Sequence, residues 1–229
     1  MVSLIAQIQA NLDGKGVCCN ELDIWEANAR ANQLAPHTCT EPGLYLCDGD
    51  ECGMTGVCDK NGCGWNPYRN GAPDYYGLGS TVDTSQVFTV VTQFVANDAG
   101  ELTEIHRKYV QNGEVIENAV TNVSTLPEQN FLDDEYCEAT GGTEAYMANG
   151  ATKGMGESLA RGMVLAMSIW WQEGGDMLWL DGDGAGPCTA ADETSDAILE
   201  AEPFPSVVFS NMKWGEIGST FQENPHDNC

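Results

Sequence analysis

Apolar and polar positions alternate with period two over several stretches of the chain, the spacing of half-buried strands. Over 86–96, Val87, Thr89, Val91, Gln93 and Val95 fall on one face and Phe88, Val90, Thr92 and Phe94 on the other. Both faces are partly apolar, as in a strand between packed layers. Residues 104–110 and 114–118 flank Asn112-Gly113, a pair suited to the type I′ turn of a hairpin. Over 162–171, Val164, Ala166, Ser168 and Trp170 share one face and Met163, Leu165, Met167, Ile169 and Trp171 the other. This pattern predicts another strand, with 177–180 pairing back after Gly174-Gly175. Residues 207–214 and 217–221 read as closing strands, and 151–161 as a short helix weakened by Gly154 and Gly156. Between 37 and 80 periodicity is nearly lost in Cys, Gly, Pro and Asn, which predicts long loops. Many short strands, turn signals and little helix predict an antiparallel β-sandwich.

One strand-like stretch breaks the apolar rule. Glu21-Leu22-Asp23-Ile24-Trp25-Glu26 interleaves three acids with Leu, Ile and Trp. Glu21 and Asp23 share a face; Glu26, five positions from Glu21, points the other way in a regular strand. A β-bulge between them supplies the missing residue and brings all three acids to one side. Two carboxylates brought to about 5–5.5 Å suit a retaining glycosidase, in which one attacks the sugar and the other shuttles a proton. The same pattern fits a solvated acidic edge strand, and spacing does not separate the two.

Charge narrows the partners. The 229 residues carry 9 Lys and Arg against 35 Asp and Glu, a formal charge of −26. An acidic surface disfavours nucleic acid and anionic membranes and tolerates neutral sugars. No stretch approaches the length of a membrane span. Ten cysteines without a Cys-x-x-Cys pair, beside three histidines, point to disulfides in an oxidising compartment rather than to zinc. Asp48-Gly49-Asp50 and Asp181-Gly182-Asp183-Gly184 each read as a plain turn ahead of a calcium loop. No metal and no cofactor is expected. Asn122-Val123-Ser124 is an N-glycosylation sequence, in keeping with secretion. The opening residues lack the basic and long apolar regions of a signal peptide.

Blocks in a fixed order carry a more specific signal. Cys18-Cys19-Asn20-Glu21-Leu22-Asp23-Ile24-Trp25-Glu26-Ala27-Asn28, Pro36-His37-Thr38-Cys39, Gly64-Trp65-Asn66-Pro67-Tyr68-Arg69, 162–170 and 214–220 together resemble fungal family-7 glycoside hydrolases. The resemblance implies an all-β, concanavalin-like antiparallel β-sandwich (a jelly roll) with long disulfide-tied loops and a substrate cleft on its concave sheet. It implies retaining cleavage of β-1,4-glucan, with Glu21 resembling the nucleophile, Glu26 the acid/base and Asp23 the carboxylate that tunes the nucleophile. His37 resembles a histidine on the leaving-group side, Trp170 and Trp179 two sugar platforms, and Arg69 a product-side arginine; with Trp170 at the cleft, Trp171 on the opposite face is expected in the core. Short arginine-free connections from Cys52 to Cys58 and from Trp179 to Cys188 resemble the open-cleft endoglucanases rather than the cellobiohydrolases.

The family's catalytic domain is roughly twice this length, so the match implies a partial domain over 1–222, incomplete at its N-terminus, with a short tail over 223–229. By the same resemblance Cys39 pairs with Cys58, Cys47 with Cys52 and Cys63 with Cys137. Cys18, Cys19 and Cys188 resemble cysteines whose partners lie in the absent half, and Cys229 has no counterpart. A non-catalytic remnant that binds glucan weakly stands beside the endoglucanase reading. Oligomeric state is not legible.

Overall fold

A computed structural model describes residues 8–12, 14–54, 56–172, 177–192 and 194–221. The strands are β1 (Ile8–Leu12), β2 (Lys15–Cys18), β3 (Glu21–Ala27), β4 (Asn32–His37), β5 (Tyr45–Cys47), β6 (Tyr76–Gly77), β7 (Val82–Asp83), β8 (Thr89–Ala96), β9 (Leu102–Gln111), β10 (Glu114–Glu117) and β11 (Phe131–Leu132). The helices are α1 (Asp134–Thr140), α2 (Glu144–Ala148), α3 (Ala151–Arg161), α4 (Leu178–Asp181) and α5 (Ser195–Ala201). β9 is central to the largest sheet, pairing β8 along one edge and β10 and β11 along the other. Asn112 and Gly113 both take positive φ, 54° and 83°, as the hairpin spacing predicts. Along β9 burial alternates: Ile105, Arg107, Tyr109 and Gln111 are buried, while the residues between them are only partly so.

β3 and β4 form the second layer. Their inner faces, through Leu22 and Leu34, pack with Leu102, Ile105 and Leu132 of the β9 sheet and with Trp65, Tyr136 and Met155. Trp65 joins by a backbone bridge to Leu34, so the chain at 65 runs as a short third strand beside β4. The Cys63–Cys137 disulfide ties that segment to α1. The helix predicted at 151–161 is α3, and its glycines have a packing reason. A Cβ on Gly156 would sit 2.5 Å from the Cβ of Leu102, so glycine lets the helix lie close on β9.

Several expectations need correction. The strand predicted from residue 86 begins at Thr89, because the Gln111 amide donates to the carbonyls of Asp83 and Val87 and takes the place of a ladder partner. The stretch 177–180 is not a strand but the N-cap and first three residues of α4, and the Asn66 amide donates to Leu180 O in that helix and to Ala185 O in the turn after it. Its Gly174-Gly175 turn lies outside the described residues. Among the described residues, 162–172 and 207–214 pair with no strand, and 217–221 forms a turn and bends. Trp171 is 42% exposed rather than in the core, as its segment lacks a sheet to belong to. Helices α1, α2 and α5 carried no period strong enough to be read. Asp48-Gly49-Asp50 enters a 3₁₀ turn at Gly49–Cys52, closed by the Glu51 carboxylate on Asp48 N–H.

All three disulfides expected from the resemblance are present, Cys39–Cys58, Cys47–Cys52 and Cys63–Cys137. Cys18 and Cys19 are free thiols, and Cys229 lies outside the described residues.

Candidate active site

The register of β3 against β4 decides where the acids point. Glu21 faces His37, Leu22 faces Pro36 and Asp23 faces Ala35; then the register slips by one, so Glu26 faces Gln33 and Ala27 faces Asn32. Two residues, Ile24 and Trp25, therefore oppose Leu34 alone. This is the β-bulge the spacing of the acids requires. Beyond it, Asn28 turns the chain: its Oδ1 accepts from the N–H groups of Arg30 and Ala31. Arg107 reaches across from β9 and donates to the carbonyl of Ile24, inside the bulge. Arg107 is 3% exposed, with its guanidinium 5.9 Å from the Tyr109 ring. It braces the irregular backbone that turns Glu26 to the side of Glu21 and Asp23.

The three acids line one cleft of about 990 Å³ together with His37. All four are buried side chains at its floor. Arg69, Trp170 and Trp179 line the same cleft, so the structure brings together every residue singled out in the sequence. Arg69 donates to the carbonyl of Trp179 at 3.4 Å. The Trp170 and Trp179 rings are near-parallel, 19° apart in plane with centroids 6.4 Å apart, a stacked aromatic pair in the cleft wall. Ser168, two positions before Trp170, lines the cleft as well, as the alternation predicts.

Burial and like charge set the proton affinities. The Glu26 carboxyl is pushed up to about 8, first by burial, then by the negative charges of Asp23 and Glu21. His37 and the Gln33 amide pull the other way and lose. Glu26 is therefore a carboxylic acid that still holds its proton near neutral pH. Burial alone would lower the His37 pKa, but Asp23, which bonds its Nε2 at 3.1 Å, together with Glu21 and Asp59 raises it. Asp59, buried behind the ring with Oδ2 3.9 Å from Nδ1, accepts from the Thr143 hydroxyl at 2.7 Å.

Sequence reasoning missed Gln33, Asp59, Gly62 and Gly64. A Cβ on Gly62 would come within 2.7 Å of the His37 ring, and one on Gly64 within 2.9 Å of the Gln33 amide. Both glycines lie on the cleft side of the short strand next to β4 and keep its floor clear. Their alternation with Cys63 in Gly62-Cys63-Gly64 was the available signal.

A proton-holding carboxyl beside two further carboxylates, on a β-sandwich cleft with an aromatic wall, defines a site of the glycoside hydrolase kind. The comparisons with known proteins agree. The glycosyl hydrolase family 7 model matches residues 5–221, and the chain belongs to that family. It is 60% identical to endoglucanase 1 of Humicola insolens, over 93% of this chain and 53% of that protein. Endoglucanase type C of Fusarium oxysporum is 57% identical, over 92% of this chain and 49% of that protein. The native Humicola insolens endocellulase EGI structure superposes with a TM-score of 0.89 over 92% of this chain and 53% of that one. A family cellobiohydrolase from Daphnia pulex is more distant, at 35% identity and a TM-score of 0.76. The chain spans about half the length of the curated relatives it matches.

Proposed function

We propose that this cleft performs endo-acting, retaining hydrolysis of internal β-1,4-glucosidic bonds in cellulose or a related β-glucan. The observation that carries the reading is Glu26, protonated near neutrality in a cleft it shares with Glu21 and Asp23. Glu21 attacks the anomeric carbon as its bond to the glycosidic oxygen breaks, and Glu26 gives that oxygen its proton. Glu26, now a base, takes a proton from water, which attacks the same carbon and releases Glu21. Asp23, tied to His37, is read as the carboxylate that tunes the nucleophile. Trp170 and Trp179 offer flat apolar faces to glucose rings, His37 lies on the leaving-group side, and Arg69 contacts the product side. The higher likeness to endoglucanases than to a cellobiohydrolase supports internal cleavage. Three disulfides and the family suit an extracellular enzyme, and the charge of −26 suits a neutral polysaccharide rather than nucleic acid or membrane.

A second reading, a glucan-binding remnant without turnover, is favoured by the segments 162–172 and 207–214, which pair with no strand among the described residues and the first of which carries Trp170. Distant sugar contacts help orient the reacting ring, so an incomplete cleft loses turnover before it loses all binding. Hydrolysis of a soluble chromogenic β-glucan by protein made under oxidising conditions, beside Glu21→Gln, separates the two. Hydrolysis that disappears in the variant is the expected result. Folded protein that binds glucan equally with or without Glu21, and never cleaves it, overturns the enzyme in favour of the remnant.

A further inference from the structure

We infer that Gln33 is a positioning residue for Glu26 and that Gly64 keeps open the space its amide occupies; both roles rest on Glu26 being the acid/base proposed above. Gln33 is the cross-strand partner of Glu26 immediately after the bulge, and its Nε2 donates to Glu26 Oε2 at 3.4 Å. The side chain is buried. On its other side a Cβ at Gly64 would lie 2.9 Å from Gln33 Cδ and Oε1 and 3.2 Å from Nε2. The amide is thus held between Glu26 and a backbone position that no larger residue can share without moving it.

The chemistry explains why an amide suits this place. An acid/base must present the same carboxyl oxygen twice, once to release a proton and once to recover it. The other groups acting on Glu26 are ionisable: Asp23 and Glu21 from its own strand and His37 from β4, while Lys60 and Arg69 line the same cleft. A carboxamide stays neutral through both steps, so no second proton moves when Glu26 gives up or recovers its own, while its N–H holds the carboxylate more strongly than the acid. Donating to the carboxylate, it also offsets part of the rise that burial and like charge impose. At 3.4 Å the bond is long, in keeping with a bias that trims the rise without reversing it.

The test reads Glu26 directly, without turnover. The full chain is labelled with 13C at glutamate side-chain carboxyls and titrated by NMR, with the Glu26 resonance identified by its loss in Glu26→Gln. In Gln33→Met, which keeps the volume and removes the donor, the Glu26 midpoint rises by about half a pH unit to one pH unit. In Gly64→Ala the amide is present but displaced, and the midpoint rises by less. The double variant matches Gln33→Met alone, because both changes break one contact. An unmoved midpoint in Gln33→Met overturns the proposal, and so does an unmoved midpoint in Gly64→Ala should Gln33→Met not fold. Shifts that add in the double variant overturn the link to Gly64.

The two levels of inference fail separately. Absence of hydrolysis in the wild type removes the proposed function and leaves the titration readable. Where hydrolysis is present, the basic limb of its pH profile moves upward with the Glu26 resonance. A limb that stays while the resonance moves removes Glu26 as the acid/base, and the positioning role falls with it.

Discussion

The acid strand and the segment 162–172 carry equally clear strand patterns, yet only the first belongs to a sheet. β3 has β4 on its edge, Leu22 in the core, Arg107 on the carbonyl of its bulge and a disulfide-tied strand two places away. The stretch 162–172 has no ladder partner among the described residues, and Val164 is 74% exposed. The same holds near the end of the described chain, where Trp214 is 91% exposed. Alternation says which face of a strand is apolar. It does not supply the neighbour that satisfies the backbone or the layer that covers the face.

Paired substitutions sharpen this contrast. The largest effect is expected from tryptophan deletion: Trp65→Ala, within the core, costs about 3–5 kcal/mol, whereas Trp214→Ala changes stability by about 0.5 kcal/mol or less. Chemical denaturation of both variants checks this, and similar losses would show that the two regions are equally structured. Next comes pH. Glu26 and His37 both have raised pKa values in the fold, so the folded state binds more protons than the unfolded one. Their contribution is complete below the ordinary carboxylate range and is lost as pH climbs toward about 8. The melting temperature therefore falls over that window, by on the order of a few degrees more in wild type than in Glu26→Gln. Parallel curves for the two proteins would contradict the buried, protonated Glu26.

The smallest contrast compares two helix caps. Asp133 accepts from Tyr136 N–H at the start of α1, which buries Tyr136 and Cys137. Thr194 accepts from Ala197 N–H at the start of α5, which buries nothing among its described residues. Asp133→Ala lowers global stability by about 1 kcal/mol. Thr194→Ala frays α5 and leaves the global transition in place, which hydrogen exchange beside denaturation distinguishes. A global loss from Thr194→Ala would place α5 in the cooperative core.

The site was legible to different depths. The parity conflict between Glu21 and Glu26 required a bulge, and the slipped register provides one. The Asn112-Gly113 hairpin and the α3 boundaries were equally visible, since each rests on residues close in sequence. Trp170 shares the cleft with the acids as its face predicted, while Trp171 missed the core because the covering layer cannot be inferred from one strand's alternation. Gln33 carried no motif and Gly64 stood in one without a role, and their meaning came from the third strand that sets Gly64 beside the Gln33 amide.

By itself the sequence determined the acid strand, its bulge, the hairpin, the family and, through that resemblance, the three disulfides and the cleft residues. These depend on side-chain parity, turn chemistry and motifs that survive translation into one dimension. Only the tertiary structure decided which strands found partners, that Arg107 braces the bulge, and that Gln33 and Gly64 stand beside Glu26. Hydrogen-bond ladders and close contacts join residues far apart in the chain, and the Arg107 guanidinium meets Ile24 across 83 positions that no local pattern spans.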